Sequence, residues 1–131
     1  MKFHRLFAAC MVATVAAAPA LADQLEYRVL TQSRDIGHLT FDREPGRIAV
    51  DFDFKQNGRG PTIKELLTLD KDGAPQRWTI TGRTTFGNAV SESFQRSSGG
   101  ATWRDLAGPG TIKGKDAPRY YATQNGSPLD T

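Results

Sequence analysis

Ile48, Val50, Phe52 and Phe54 alternate with Ala49, Asp51 and Asp53, and the run gives way to a polar Asn57-Gly58-Arg59-Gly60-Pro61 segment. Side chains two apart on an extended chain share a face, so this pattern demands a half-buried antiparallel strand. On a helix the same four residues would be scattered around the axis. The period of two recurs upstream in Leu25, Tyr27 and Val29, and again in Gly37, Leu39 and Phe41. Polar residues from Thr31 to Asp35 and the Glu44-Pro45-Gly46 triplet separate these runs. Proline presets its own φ and glycine tolerates positive φ, so both segments read as tight turns. Connections this short cannot hold a crossover helix, and the three strands form a meander.

Further along, Ile63, Leu67 and Leu69 share a parity with Glu65, while Leu66 falls on the other face. Helix competes here, since Ile63, Leu66 and Leu67 are also three and four apart. The run is short, however, and Asp70-Lys71-Asp72-Gly73 closes it as a hairpin turn, which favours strand. Trp78, Ile80 and Gly82 give the next strand, and Phe86-Gly87-Asn88 a turn or bulge. Val90, Glu92 and Phe94 follow, then Ala101, Trp103 and Asp105 after the Ser97-Ser98-Gly99-Gly100 turn. Ala107 to Lys115, with Gly108, Pro109, Gly110 and Gly114 around Ile112, carries no strand pattern, and Asp116 to Tyr121 offers a last strand. The expected fold class is all-β: an antiparallel meander of about six to eight strands forming a strongly curled sheet or an open barrel-like sandwich.

Residues 1–22 stand apart from this pattern. Lys2, His4 and Arg5 precede an apolar run ending in Ala20-Leu21-Ala22, the organisation of a secretory signal peptide with cleavage before Asp23. The run is shorter than the roughly 20 residues that span a bilayer, so no stable membrane span is expected after cleavage. The chain is therefore divided into a leader (1–22), a single β domain (23–122) and a linker-like tail (123–131), in an exported, periplasmic or extracellular protein. Loss of Lys2 and Arg5 with the leader lowers the formal net charge from +3 to +1. No tract of Lys and Arg interleaves with aromatics, and nucleic acid is not an expected partner. The single cysteine, Cys10, lies in the leader, so the domain has neither a disulfide framework nor a catalytic thiol.

Chemistry-bearing residues are few. His38 is the one histidine after the leader; it shares a parity with Ile36 and Thr40 and reads as a solvent-side strand residue. Asp51 and Asp53 lie on one face, a pair that can bind a hard cation but that ordinary surface alternation also explains. No metal site and no cofactor are expected. The glycine-flanked Arg59 loop can be read as an anion-binding nest or as a sharp bend; it lacks the pattern of a nucleotide loop. Trp78, Phe86, Phe94 and Trp103 are expected in the core, or around an apolar ligand.

From Asp53 through Glu65, then at Ile80-Thr81-Gly82, Thr85-Phe86-Gly87 and Glu92, the sequence resembles the extra amino-terminal region of exported bacterial amidohydrolases of the imidazolonepropionase-like group. The likeness continues through Trp103 and from Tyr120 to Asn125-Gly126-Ser127-Pro128. It implies a β-rich module standing before a metal-dependent hydrolase barrel, whose metal is held by histidines including a His-x-His pair. That pair is missing here, as are the βα repeats of a barrel, so no catalytic residue carries over. The resemblance implies a non-catalytic accessory module or fragment. Its partner would be a downstream or separately encoded hydrolase barrel, and Asn57, Arg59 and Lys64 are the candidates for docking or ligand contact. The alternative is a periplasmic carrier that shelters a lipid or other apolar molecule inside a curled sheet.

Overall fold

The computed structural model describes residues 22–114 and Leu129. Among these residues eight strands run in chain order: β1 (Asp23–Thr31), β2 (Arg34–Glu44), β3 (Arg47–Phe54), β4 (Thr62–Leu69), β5 (Pro75–Arg83), β6 (Ala89–Ser97), β7 (Gly100–Asp105) and β8 (Gly108–Lys113). Each pairs antiparallel with its sequence neighbour, giving one sheet of order β1-β2-β3-β4-β5-β6-β7-β8. The leader, the strand expected at Asp116 to Tyr121, and the 123–131 tail apart from Leu129 lie outside the described residues.

The meander expected from the spacing forms, but the strongly curled sheet or barrel-like sandwich does not. Among the described residues the sheet is open and neither closed nor strongly curled, with β1 and β8 as its two edges. Substantial packing is confined to strands adjacent in sequence. The physical reason lies in the registers. Curling concentrates where bulges interrupt strand interiors. The register shifts here fall near strand ends, between Val29 and Leu30 against β2 and between Thr68 and Leu69 against β5. From β2 to β4 the ladder runs unbroken.

Register also sorts the two faces. The pairs Phe52↔Ile63 and Ile48↔Leu67 join β3 to β4, and Leu67↔Trp78 and Trp78↔Phe94 carry the same face across β5 to β6. Ile63, Leu67, Trp78, Ile80, Val90, Phe94 and Ala101 form one buried cluster, against which Ile48, Phe52, Trp103 and Leu129 pack. Ile80 and Phe94 are the largest fully buried side chains, each contributing roughly 1.5–3 kcal/mol of apolar burial. Phe86, expected in the core, is 78% exposed because it sits on the β5–β6 turn rather than on a strand. Glu65 and Glu92 point the other way from expectation for their type: both lie on the apolar face and are only 3% exposed.

The strand β8 is the element that the glycine-rich sequence concealed. Gly110 lies opposite Trp103, and a Cβ there would come within 2.1 Å of the indole Cε2. Glycine thus leaves the room into which the Trp103 ring settles. Pro109 is tolerated because, among the described residues, β8 is an edge strand that pairs on one side only.

Candidate functional site

The polar face carries the titratable residues singled out in the sequence. His38 lies opposite Asp53, and Asp51 lies opposite both Thr40 and Lys64. Lys64 Nζ donates to Asp51 Oδ2 at 2.7 Å, and His38 Nε2 stands 3.4 Å from Asp51 Oδ1. Asp53 accepts from Thr62 Oγ1 and from Lys55 Nζ at 3.2 Å. Lys55 Nζ also donates to the carbonyls of Gly60 at 3.0 Å and Pro61 at 3.2 Å. The bond from Lys64 holds the Asp51 carboxyl below its ordinary value, and Lys64 is raised in return. Asp53 is lowered chiefly by the Thr62 hydroxyl and then by Lys55. Each carboxylate is paired with a cation on the sheet surface. Among the described residues, no group of three or more His, Cys, Asp or Glu side chains converges as metal ligands.

The three docking candidates separate in space. Lys64 belongs to this polar stripe. Asn57 and Arg59 sit at one end of the sheet, on a two-residue hairpin turn in which Gln56 N donates to Arg59 O at 2.7 Å and Arg59 N to Gln56 O at 3.0 Å. Asn57 and Gly58 both have positive φ, 52° and 76°, the left-handed pair that such a turn requires. The amides of Gln56 and Arg59 are spent inside the turn, and the Arg59 side chain is the charged donor that the loop offers to an anion. That guanidinium makes no hydrogen bond or ion pair among the described residues.

Arg59 faces a cleft of about 450 Å³ between the β3–β4 and β5–β6 loops, lined also by Lys55, Thr62, Arg83, Thr85 and Phe86. The opposite wall is a second well-ordered turn. Thr84 N donates to Asn88 O at 2.9 Å, and Gly87 N to Thr84 O at 2.9 Å. The Thr84 hydroxyl accepts from Phe86 N at 3.3 Å and Asn88 N at 3.2 Å, and Arg83 Nη1 donates to Gly87 O at 3.1 Å. Asn57 lines a separate, more polar cleft beside the β1–β2 turn, with Arg34 and Asp35.

A second surface is apolar. On the face shared with the core, Leu25, Val29, Leu39, Phe41, Phe52 and Phe54 of β1 to β3 are only half-buried, and Tyr27 is 52% exposed. Tyr27 and Phe41 meet edge-to-face with ring centroids 6.2 Å apart, and Phe52 and Phe54 lie at 5.6 Å. These contacts preform a rigid aromatic surface beside the buried cluster of β4 to β6.

Comparison with known protein families, curated proteins and solved structures finds no match to this chain. The sequence pointed to the Arg59 loop through its glycines. It gave a weaker signal for the roles of Phe86 and of the half-open β1 to β3 face, since exposure cannot be read from alternation alone. Glu65 and Glu92 were legible as charges at apolar parity, the one signal that marks a buried carboxylate on a strand. No helix among the described residues is long and apolar enough to cross a membrane.

Proposed function

We propose that this chain is a non-catalytic accessory module of an exported protein and that it docks a folded hydrolase domain on the apolar face of β1 to β3. The observation that carries the reading is the contrast within one sheet face: buried over β4 to β6, half-open over β1 to β3. An apolar surface of this kind, set beside Arg43 and Asp23 at its rim, has the layout of a protein interface, with an aromatic centre and charged margin. The partner class comes from the resemblance to the region preceding amidohydrolase barrels, and the exported location from the 1–22 leader. The carrier alternative needed an enclosed apolar cavity within a curled sheet. The sheet is not strongly curled, and the clefts lined by described residues are open and partly polar, so docking is the better supported reading.

The test mixes the purified protein with the amidohydrolase barrel encoded nearest to it in its own genome. Sedimentation analysis is expected to show a complex with a Kd of about 10 μM or tighter. Hydrogen exchange should slow in β1 to β3 on mixing, and Tyr27→Asp with Phe41→Asp should weaken the complex by at least about tenfold. Absence of a complex at about 100 μM, or protection confined to strands outside β1 to β3, would sink the docking proposal.

A further inference from the structure

We infer that the cleft between the Gln56–Arg59 turn and the Thr84–Asn88 turn is a binding site for a small aromatic carboxylate. It lies at the end of the sheet, apart from the β1 to β3 face, and stands without the docking proposal. Three observations converge on this ligand. First, the two arginines that line the cleft differ in their commitments: Arg83 is anchored to the Gly87 carbonyl, whereas Arg59 has no partner among the described residues. A guanidinium presents a planar fork of donors that matches a carboxylate in two parallel bonds. Second, Phe86 is 78% exposed, yet its turn is pinned by the Thr84 hydroxyl and by two backbone bonds. Holding a large aromatic in water on a rigid turn forgoes its burial in the free protein, and a planar ligand body recovers that burial by stacking. Third, the walls keep their shape without a ligand, because both turns close their own hydrogen bonds. A preformed site avoids the ordering cost that a mobile loop would incur.

The lining also argues against a phosphate group. The amides of Gln56 and Arg59 are consumed within the turn, and Lys55 is saturated by Asp53, Thr62 and two carbonyls. That leaves Arg59, beside the anchored Arg83, as the charged donor with capacity to spare, enough for the two oxygens of one carboxylate and fewer than the oxygens of a phosphate call for. The walls are apolar in part, as a ring-bearing ligand requires, and the volume of about 450 Å³ falls in the range of small-molecule sites.

The experiment is a titration of the uniformly labelled protein, followed by amide and arginine side-chain resonances, with 4-phenylbutyrate as the probe. Acetate, benzyl alcohol and inorganic phosphate are run beside it. Saturable shifts are expected at Gly58, Arg59, Thr85 and Phe86, with acetate and benzyl alcohol each at least about tenfold weaker because each keeps only half of the recognised chemistry. Arg59→Gln and Phe86→Ser should each weaken phenylbutyrate about tenfold, and Arg59→Lys should restore only part of the loss. The spectra themselves report that each variant remains folded. Three outcomes overturn the inference: no saturation by about 10 mM, shifts centred on Leu25, Tyr27 and Phe41, or phosphate binding as tightly as phenylbutyrate.

Discussion

The Glu65 carboxylate lies between Val50 of β3 and Ile80 of β5 and accepts a 2.9 Å bond from the Trp78 indole Nε1. Burying a carboxylate on an apolar face costs several kcal/mol unless hydrogen bonds replace its water, and the indole supplies one of them. Trp78→Phe keeps most of the ring volume but removes that donor. The variant should lose about 1–3 kcal/mol, measured by urea unfolding followed by circular dichroism. A companion Glu65→Gln keeps an acceptor for the indole, so it should cost less than Trp78→Phe. The reverse ranking would mean that the charge of the Glu65 carboxylate, and not the indole bond, dominates at this site. The position of Glu65 was already implicit in its parity with Ile63 and Leu67, because strand alternation alone puts it on their face. Its partner was not: Trp78 is thirteen residues away in the chain, and only the β4–β5 register brings the two together.

Strand β8 and the β1–β2 turn show how an element can defeat a propensity reading. Only Thr111 and Ile112 in Gly108 to Lys113 favour a strand by composition; it forms because β7 offers a partner and Gly110 makes way for Trp103. Gly110→Ala should therefore push the indole off the strand, destabilise the protein by about 1–3 kcal/mol and shift the tryptophan emission. An unchanged emission and unfolding midpoint would remove glycine as the reason that this strand can form. The β1–β2 turn carries the opposite mismatch. Gln32 and Ser33 both have positive φ, 46° and 64°, in a two-residue hairpin loop where asparagine and glycine are the favoured pair. Replacing them with Asn-Gly should relieve strain and raise stability by about 1 kcal/mol, visible as a higher midpoint in thermal unfolding. Spacing predicted a turn at this place but not its hand, which follows from the twist of the strands that it joins.

At the scale of the whole sheet, the alternation that revealed seven of the eight strands was silent about curvature. Curvature comes from where bulges fall and what covers each face, and here the bulges sit near strand ends. The result is a broad open surface whose polar side is laced by charge pairs. Arg28 with Asp35, Lys64 with Asp51 and Lys55 with Asp53 tie neighbouring segments together there, and Arg96, at the parity of Phe94 on the other face, pairs with Asp70 of the β4–β5 turn. In each case the carboxyl is held below its ordinary value of 3.8. The leading causes are the Arg28 bond for Asp35, the Lys64 bond for Asp51, the Thr62 hydroxyl for Asp53 and the Ala74 amide for Asp70. A carboxyl that is more acidic when folded stabilises the protein above its unfolded pKa, and that contribution disappears as pH falls through the folded value. Lys64, raised above 10.5 by Asp51, has the mirror behaviour: its contribution is complete below that value and lost at higher pH. Between these limits the four carboxylates and Lys64 add no slope of their own. The thermal midpoint should accordingly fall as the solution is acidified below about pH 4. Asp70→Asn removes a group that bonds the Ala74 and Asp72 amides and Arg96, so its midpoint should lie below the parent's at neutral pH and converge with it near pH 2. A constant gap across the whole acid range would show that the loss comes from the altered turn geometry and not from the charge.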